Sequence, residues 1–197
     1  NIITSSSQSE VGEYTATLNV LDANILLNNN TTQFTITPYA INIVWTKIEF
    51  TFDNLPHAPE FILEPLPFEY DLKLTNSSPQ IDAGEHTGTV VLNDKNFTIF
   101  NAKTQFFIKK YDFSLIWSEN LFIFDSTMQC PTVQNDLPFE YNLSIDYTPA
   151  QSEVGKHTIE ASTKDTNINL LNKIAEYEIL PYVCELCWCD TTSTFNN

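Results

Sequence analysis

One six-residue pattern is spelled three times along the chain: an acid, a small apolar residue, a glycine, a charged residue, a ring and a threonine. The copies are Glu10-Val11-Gly12-Glu13-Tyr14-Thr15, Asp82-Ala83-Gly84-Glu85-His86-Thr87 and Glu153-Val154-Gly155-Lys156-His157-Thr158. Their glycines stand 72 and 71 residues apart. A period of that size is the signature of an array of similar units, and it overrides the one or two domains that 197 residues otherwise suggest. Units of about 70 residues are small but within reach of independent folding.

The register extends well beyond the glycines. Ile41-Asn42-Ile43-Val44-Trp45 and Phe113-Ser114-Leu115-Ile116-Trp117 correspond at an offset of 72. So do Glu49-Phe50-Thr51-Phe52-Asp53 and Leu121-Phe122-Ile123-Phe124-Asp125, and so do Ala58-Pro59 and Cys130-Pro131. Pro67-Phe68-Glu69-Tyr70 returns letter for letter as Pro138-Phe139-Glu140-Tyr141. Behind each glycine motif apolar and polar residues alternate: Ala16, Leu18 and Val20, then Gly88, Val90 and Leu92, then Ile159, Ala161 and Thr163. Period-two alternation predicts strands with one buried and one wet face. Turns recur at Asp22-Ala23-Asn24, Asp94-Lys95-Asn96 and Asp165-Thr166-Asn167. Asp and Asn suit such turns because they bond their own backbone and tolerate left-handed conformations. Each unit closes on a strand-like stretch: Phe34-Thr35-Ile36-Thr37, Phe106-Phe107-Ile108-Lys109 and Tyr177-Glu178-Ile179-Leu180.

These segments mix β-branched and aromatic residues between Pro, Asn and Asp, and all of them, including the two Pro-Phe-Glu-Tyr stretches, read as short strands. Residues 170–175 could pass for a helical turn, but their register with strand-like copies argues otherwise. The expected fold is all-β. The expected organisation is the rear part of a truncated repeat at 1–39, complete repeats at 40–111 and 112–182, and the start of another at 183–197. Both ends thus fall inside repeats, as in a segment of a longer array. Junctions at Pro38-Tyr39, Lys110-Tyr111 and Pro181-Tyr182 carry no flexible linker.

The unit resembles the immunoglobulin-like modules of bacterial surface proteins, and is most similar to MBG-type repeats. Their pattern runs from a Y-D-G…A-P segment through D-A-G-x-Y-T to F-x-I-x-P. The matching residues are Phe52-Asp53…Ala58-Pro59, Asp82 to Thr87, and Phe34-Thr35-Ile36-Thr37-Pro38. Asn54 and Ser126 stand where that pattern has glycine, and His86 and His157 where it has tyrosine. The resemblance implies tandem immunoglobulin-like β-sandwiches, with a β-grasp-like or other small β-fold as the alternative, on a secreted or cell-surface protein. Acid-x-Gly-x-Tyr also resembles the tyrosine corner of immunoglobulin domains, where the ring ties to nearby backbone. Tyr14 can make that bond, and a His nitrogen at 86 and 157 can do the same. No cysteine stands where antibody domains place their inter-sheet disulfide, so apolar burial must hold the core, with Trp45 and Trp117 as its expected large anchors.

Composition excludes several function classes. Nine Lys plus Arg against 25 Asp plus Glu give a formal charge of −16. Such a chain repels nucleic-acid phosphates and anionic membranes, and its charge discourages association at strand edges. No apolar run reaches the length of a membrane span. Gly-rich phosphate loops and Gly-x-Ser-x-Gly are absent from a sequence with four glycines.

The motif histidines are read as structural rings, because Tyr14 fills the same position in the first copy; His57 is alone in a Pro-flanked loop. Cys184, Cys187 and Cys189 offer a Cys-x-x-Cys, but they register with Ile41, Val44 and Thr46 of a first strand, where 184 and 187 would face opposite ways. Glu69 with Asp71, or Glu140 with Asp146, could be offered as a glycosidase pair, but the tandem duplication of their loop favours a structural role. No cofactor is called for. Calcium at a junction, on Asp53, Asp82 or Asp112 with backbone carbonyls, is the one cation the residues could serve, without a dense Asp-x-Asp run behind it. Asn29, Asn30, Asn76, Asn96 and Asn142 open glycosylation sequons, frequent by composition in an Asn- and Thr-rich chain.

The expected role is therefore non-catalytic: a stalk or spacer in adhesion, monomeric within a longer chain. The alternatives are a module binding a protein or glycan ligand, through Tyr39, Tyr111 or Trp188, and an accessory region of a large extracellular hydrolase.

Overall fold

The computed structural model describes residues 2–134 and 136–187, and among them the chain forms strands and no helix. It separates into two compact units, Asn1–Phe50 with Leu55–Lys109, and Thr51–Asn54 with Lys110–Asn197. The units are thus composed differently from the sequence repeats: the first copy clusters with the second, and four residues of the second cluster with the third.

In the first unit, β1 (Ile2–Thr4), β2 (Gly12–Val20) and β3 (Thr31–Ile36) make a three-stranded antiparallel sheet. Next, β4 (Tyr39–Lys47) pairs antiparallel with β6 (Glu60–Leu63) and parallel with β9 (Phe97–Phe100). A four-stranded sheet runs β5 (Glu49–Thr51), β10 (Lys103–Lys109), β8 (Gly84–Leu92), β7 (Leu74–Asn76) in that spatial order. Alternation decides which face is buried. In β10, Phe106 and Ile108 are buried while Lys103, Gln105, Phe107 and Lys109 face solvent. The core draws Ile41 and Ile43 from β4, Val90 from β8, Phe97 from β9, and Phe106 and Ile108 from β10. Full burial of a side chain such as Phe106 contributes about 1.5–3 kcal/mol.

The second unit repeats the scheme. Strand β11 (Tyr111–Ser114) runs parallel to β17 (Ile168–Leu171), and β12 (Ile116–Trp117) pairs antiparallel with β14 (Val133–Gln134). The four-stranded sheet runs β13 (Leu121–Ile123), β18 (Ile174–Leu180), β16 (Gly155–Ser162), β15 (Asp146–Tyr147). Strand β13 is parallel to β18, and the other pairs are antiparallel. Its core centres on Ile159, Tyr177 and Ile179, against which Trp117, Phe122, Phe124, Cys130 and Ala175 pack. The sequence register therefore survives as strand order. In the first copy, β1, β2 and β3 match β7, β8 and β10.

Three expectations need correction. The Pro-Phe-Glu-Tyr stretches at 67–70 and 138–141 form no strand. Proline cannot donate to a ladder, and the rings are held by side-chain contacts instead: Phe68 packs edge-on to Tyr39, and Tyr70 to Phe97. Residues 183–187 form no strand either, although they register with β4; β4 is held by β6 and β9, and no such partner pairs with 183–187 among the described residues. Finally, Trp45 and Trp117 are half-buried rather than central, and the fully buried large side chains are Phe52, Phe106, Ile43, Ile159, Ile179, Pro59 and Pro131. An indole N–H needs a polar partner, which draws each Trp to the rim of its core.

Candidate functional site

The thrice-repeated motif forms the same structure each time. Gly12, Gly84 and Gly155 open β2, β8 and β16 with φ of +159°, +152° and +139°. The last two lie clearly in a region that side chains disfavour. The ring two residues on folds back over the glycine and bonds the carbonyl four residues before it. Tyr14 Oη donates to the Glu10 carbonyl at 2.9 Å. His86 Nε2 meets the Asp82 carbonyl at 2.8 Å, and His157 Nε2 the Glu153 carbonyl at 2.7 Å. A carbonyl only accepts, so Nε2 carries the proton in both histidines. Each ring also packs on the neighbouring strand, at 5.5 Å from Phe34, 5.4 Å from Phe106 and 5.5 Å from Tyr177. The three sites are spent on their own backbone.

A second recurring network joins Trp45 and Trp117 to an asparagine. Trp45 Nε1 donates to the Asn101 carbonyl at 3.0 Å, and Trp117 Nε1 to that of Asn172 at 2.8 Å. Asn101 and Asn172 make the turns that lead from β9 into β10 and from β17 into β18 at φ +59° and +52°, and Asn29 holds φ +57° at the same register in the first copy. Their side chains reach the first strand of their own repeat: Asn101 Nδ2 donates to Asn42 Oδ1 in β4, and Asn172 Nδ2 to Ser114 Oγ in β11, both at 2.9 Å. These asparagines went unnoticed in the sequence, although their spacing of 72 and 71 was there to be read. Asn54 and Ser126 likewise hold left-handed φ of +62° and +68°.

The Asp-x-Asn turns behave as expected, with Asp22, Asp94 and Asp165 Oδ1 accepting the N–H two residues on at 2.9, 2.8 and 2.7 Å. Their other oxygen binds the Pro-Phe-Glu-Tyr tyrosine: Tyr70 Oη donates to Asp94 at 2.6 Å and Tyr141 Oη to Asp165 at 2.5 Å. The Tyr70 bond holds the Asp94 carboxyl below the ordinary aspartate range, and Asp94 in turn raises the Tyr70 phenol. Asp125 is lowered in the same way by bonds from the Thr127 hydroxyl and N–H.

The second unit has a groove of about 750 Å³ beside β13, β18 and β16. Asn120, Gln151, Lys156, Glu176, Tyr177 and Glu178 are among its lining residues, so it offers both charge signs and amide groups. Burial pushes the Tyr177 phenol up. No group of three His, Cys, Asp or Glu suited to a metal occurs among the described residues. Asp112 is engaged by Asn169 at 2.7 Å. His57 stacks on Phe50 at 4.6 Å. Cys130 is packed beside the second core, Cys184 and Cys187 are exposed, and Cys189 and Trp188 lie outside the described residues.

The chain matches no family model, no curated protein and no solved structure.

Proposed function

We propose that the chain is a segment of a tandem array of immunoglobulin-like β-sandwich domains of the MBG type, from a bacterial cell-surface or secreted protein. Its role is a spacer that holds an adhesive or catalytic head away from the envelope. The observation that carries this reading is the use of the repeated motif: all three copies commit their one titratable ring to a bond with backbone four residues away. A ring so employed stabilises a strand entrance. Repetition of the Trp–Asn and Tyr–Asp networks in both complete copies supports the same conclusion. Small-angle scattering tests it, with an elongated particle expected; a compact globule refutes the spacer.

A second reading, a ligand- or glycan-binding module, now rests on the groove beside β18. Tyr111 is half-buried against Phe139, whereas Tyr39, packed edge-on to Phe68, keeps 42% of its surface exposed. A glycan array without hits sets this reading aside.

A further inference from the structure

Pro-Phe-Glu-Tyr is repeated letter for letter and yet forms no strand, so sheet pairing does not account for it. In the second unit the segment receives a side chain from another repeat. Phe52, from the second copy, is 1% exposed, and its ring meets those of Phe139 and Tyr141 edge-on at 5.7 and 5.1 Å. Two residues on, the left-handed Asn54 donates Nδ2 to the Glu140 carbonyl at 2.9 Å. Three consecutive residues of the motif thus hold one short loop of the preceding repeat. Tyr111, which opens β11, braces Phe139 at 5.2 Å, and Asp165 fixes Tyr141.

The first unit contains a seam of the same kind one copy earlier. The Val11 N–H, inside the first glycine motif, donates to Asn96 Oδ1 at 2.8 Å. Asn96 Nδ2 donates to Glu10 Oε2 at 3.0 Å, and Lys95 Nζ lies 3.5 Å from the same oxygen. One asparagine amide therefore reads a backbone donor and a carboxylate of the repeat before it. In the first copy the corresponding Asn24 turns its Nδ2 onto its own Asp22, at 3.1 Å.

We propose that the end of each repeat bearing Pro-Phe-Glu-Tyr and the Asp-x-Asn turn is a socket, and that its partner is another repeat of this kind. In the second unit the partner presents a Phe-Asp-Asn turn to the aromatic slot, and in the first unit an acid-x-Gly turn to the asparagine. Phe68, Glu69 and Tyr70 with Asp94 and Asn96 form the socket of the second copy. Phe124, Asp125 and Ser126 with Glu153 and Val154 are the matching plug of the third. A plug and a socket built from different residues of one module make a heterologous interface, the kind that propagates along an array. This assignment stands whether or not the array serves as a spacer.

Amide hydrogen exchange on the full chain tests it with two surface substitutions that leave both cores intact. Asn96→Ala removes the acceptor of the Val11 N–H, and exchange at Val11 is expected to rise roughly fivefold, as loss of one ordinary hydrogen bond allows. Asn54→Gly keeps the left-handed backbone and removes only the amide; faster exchange over residues 139–142 is expected, with β8 and β10 unchanged. Unaltered exchange at Val11 and at 139–142 overturns the socket. An increase spread evenly over all strands overturns it too, because it shows that these asparagines act within their own repeat.

Discussion

Gly88 occupies an apolar position of β8 that its counterparts fill with Ala16 and Ile159, and replacing it sets two effects of opposite sign against each other. Gly→Ala within a strand normally stabilises by about 0.4–1 kcal/mol, because the unfolded chain loses freedom. Here, however, an added Cβ would lie 2.2 Å from Pro59 Cγ and 3.0 Å from its Cδ. Carbon atoms rest at about 3.5–4.0 Å, so the two must separate by more than about 1 Å. Pro59 has little room to yield. It is fully buried, its carbonyl accepts from Asn76 Nδ2 at 2.7 Å, and the His57–Gln80 bridge pins the segment just before it. Overpacking of this kind costs about 1–3 kcal/mol. The clash should win, leaving Gly88→Ala less stable by roughly 1–2 kcal/mol, a drop in Tm of about 5–10 °C for a unit of this size. Calorimetry and urea midpoints at unchanged m-value measure it. The double variant Gly88→Ala/Pro59→Ala should lose less than the two singles together, since each relieves the other. A Tm that rises in Gly88→Ala would show that the strand and proline are not held as described.

The motif ring is expected to matter for its donor rather than its charge: His86→Tyr should keep stability within about 0.5 kcal/mol, whereas His86→Leu loses about 1 kcal/mol. Equal urea midpoints for the two variants would refute this. The acid limb of the stability curve should contain a contribution from Asp94. Its carboxyl is lowered in the folded state, so that contribution is present above the ordinary value of 3.8 and is lost as pH falls further, through the folded pKa. Asp94→Asn should therefore show a shallower fall of Tm between about pH 4 and 2 than the parent; an unchanged slope means Tyr70 does not hold the carboxylate.

The sites differ in how far one sequence reveals them. Position by position comparison of three copies found the glycine corner, because the interchange of Tyr14 with His86 and His157 left hydrogen bonding as the shared property. The bond four residues back is local, and local geometry follows from local sequence. The Trp–Asn network escaped notice because Trp45 and Asn101 stand 56 residues apart and only tertiary packing brings them together. The same holds for Tyr70 and Asp94.

By itself the sequence determined the period, the all-β character and the turn positions, since alternation and Asp-x-Asn chemistry act over a few residues. Tertiary structure alone decided three matters. Pro-Phe-Glu-Tyr, aromatic enough to pass for a strand, became an irregular loop whose rings are held by Phe97, Tyr39 and Phe52. Trp45 and Trp117 went to the rim of the core, where their N–H groups find a carbonyl, and phenylalanines and isoleucines took the centre. Residues 51–54 joined the unit that follows their own repeat. The physical reason is common to all three: burial and long-range hydrogen bonds are satisfied by whichever side chains the folded chain brings together, and strand-like composition carries no record of that partner.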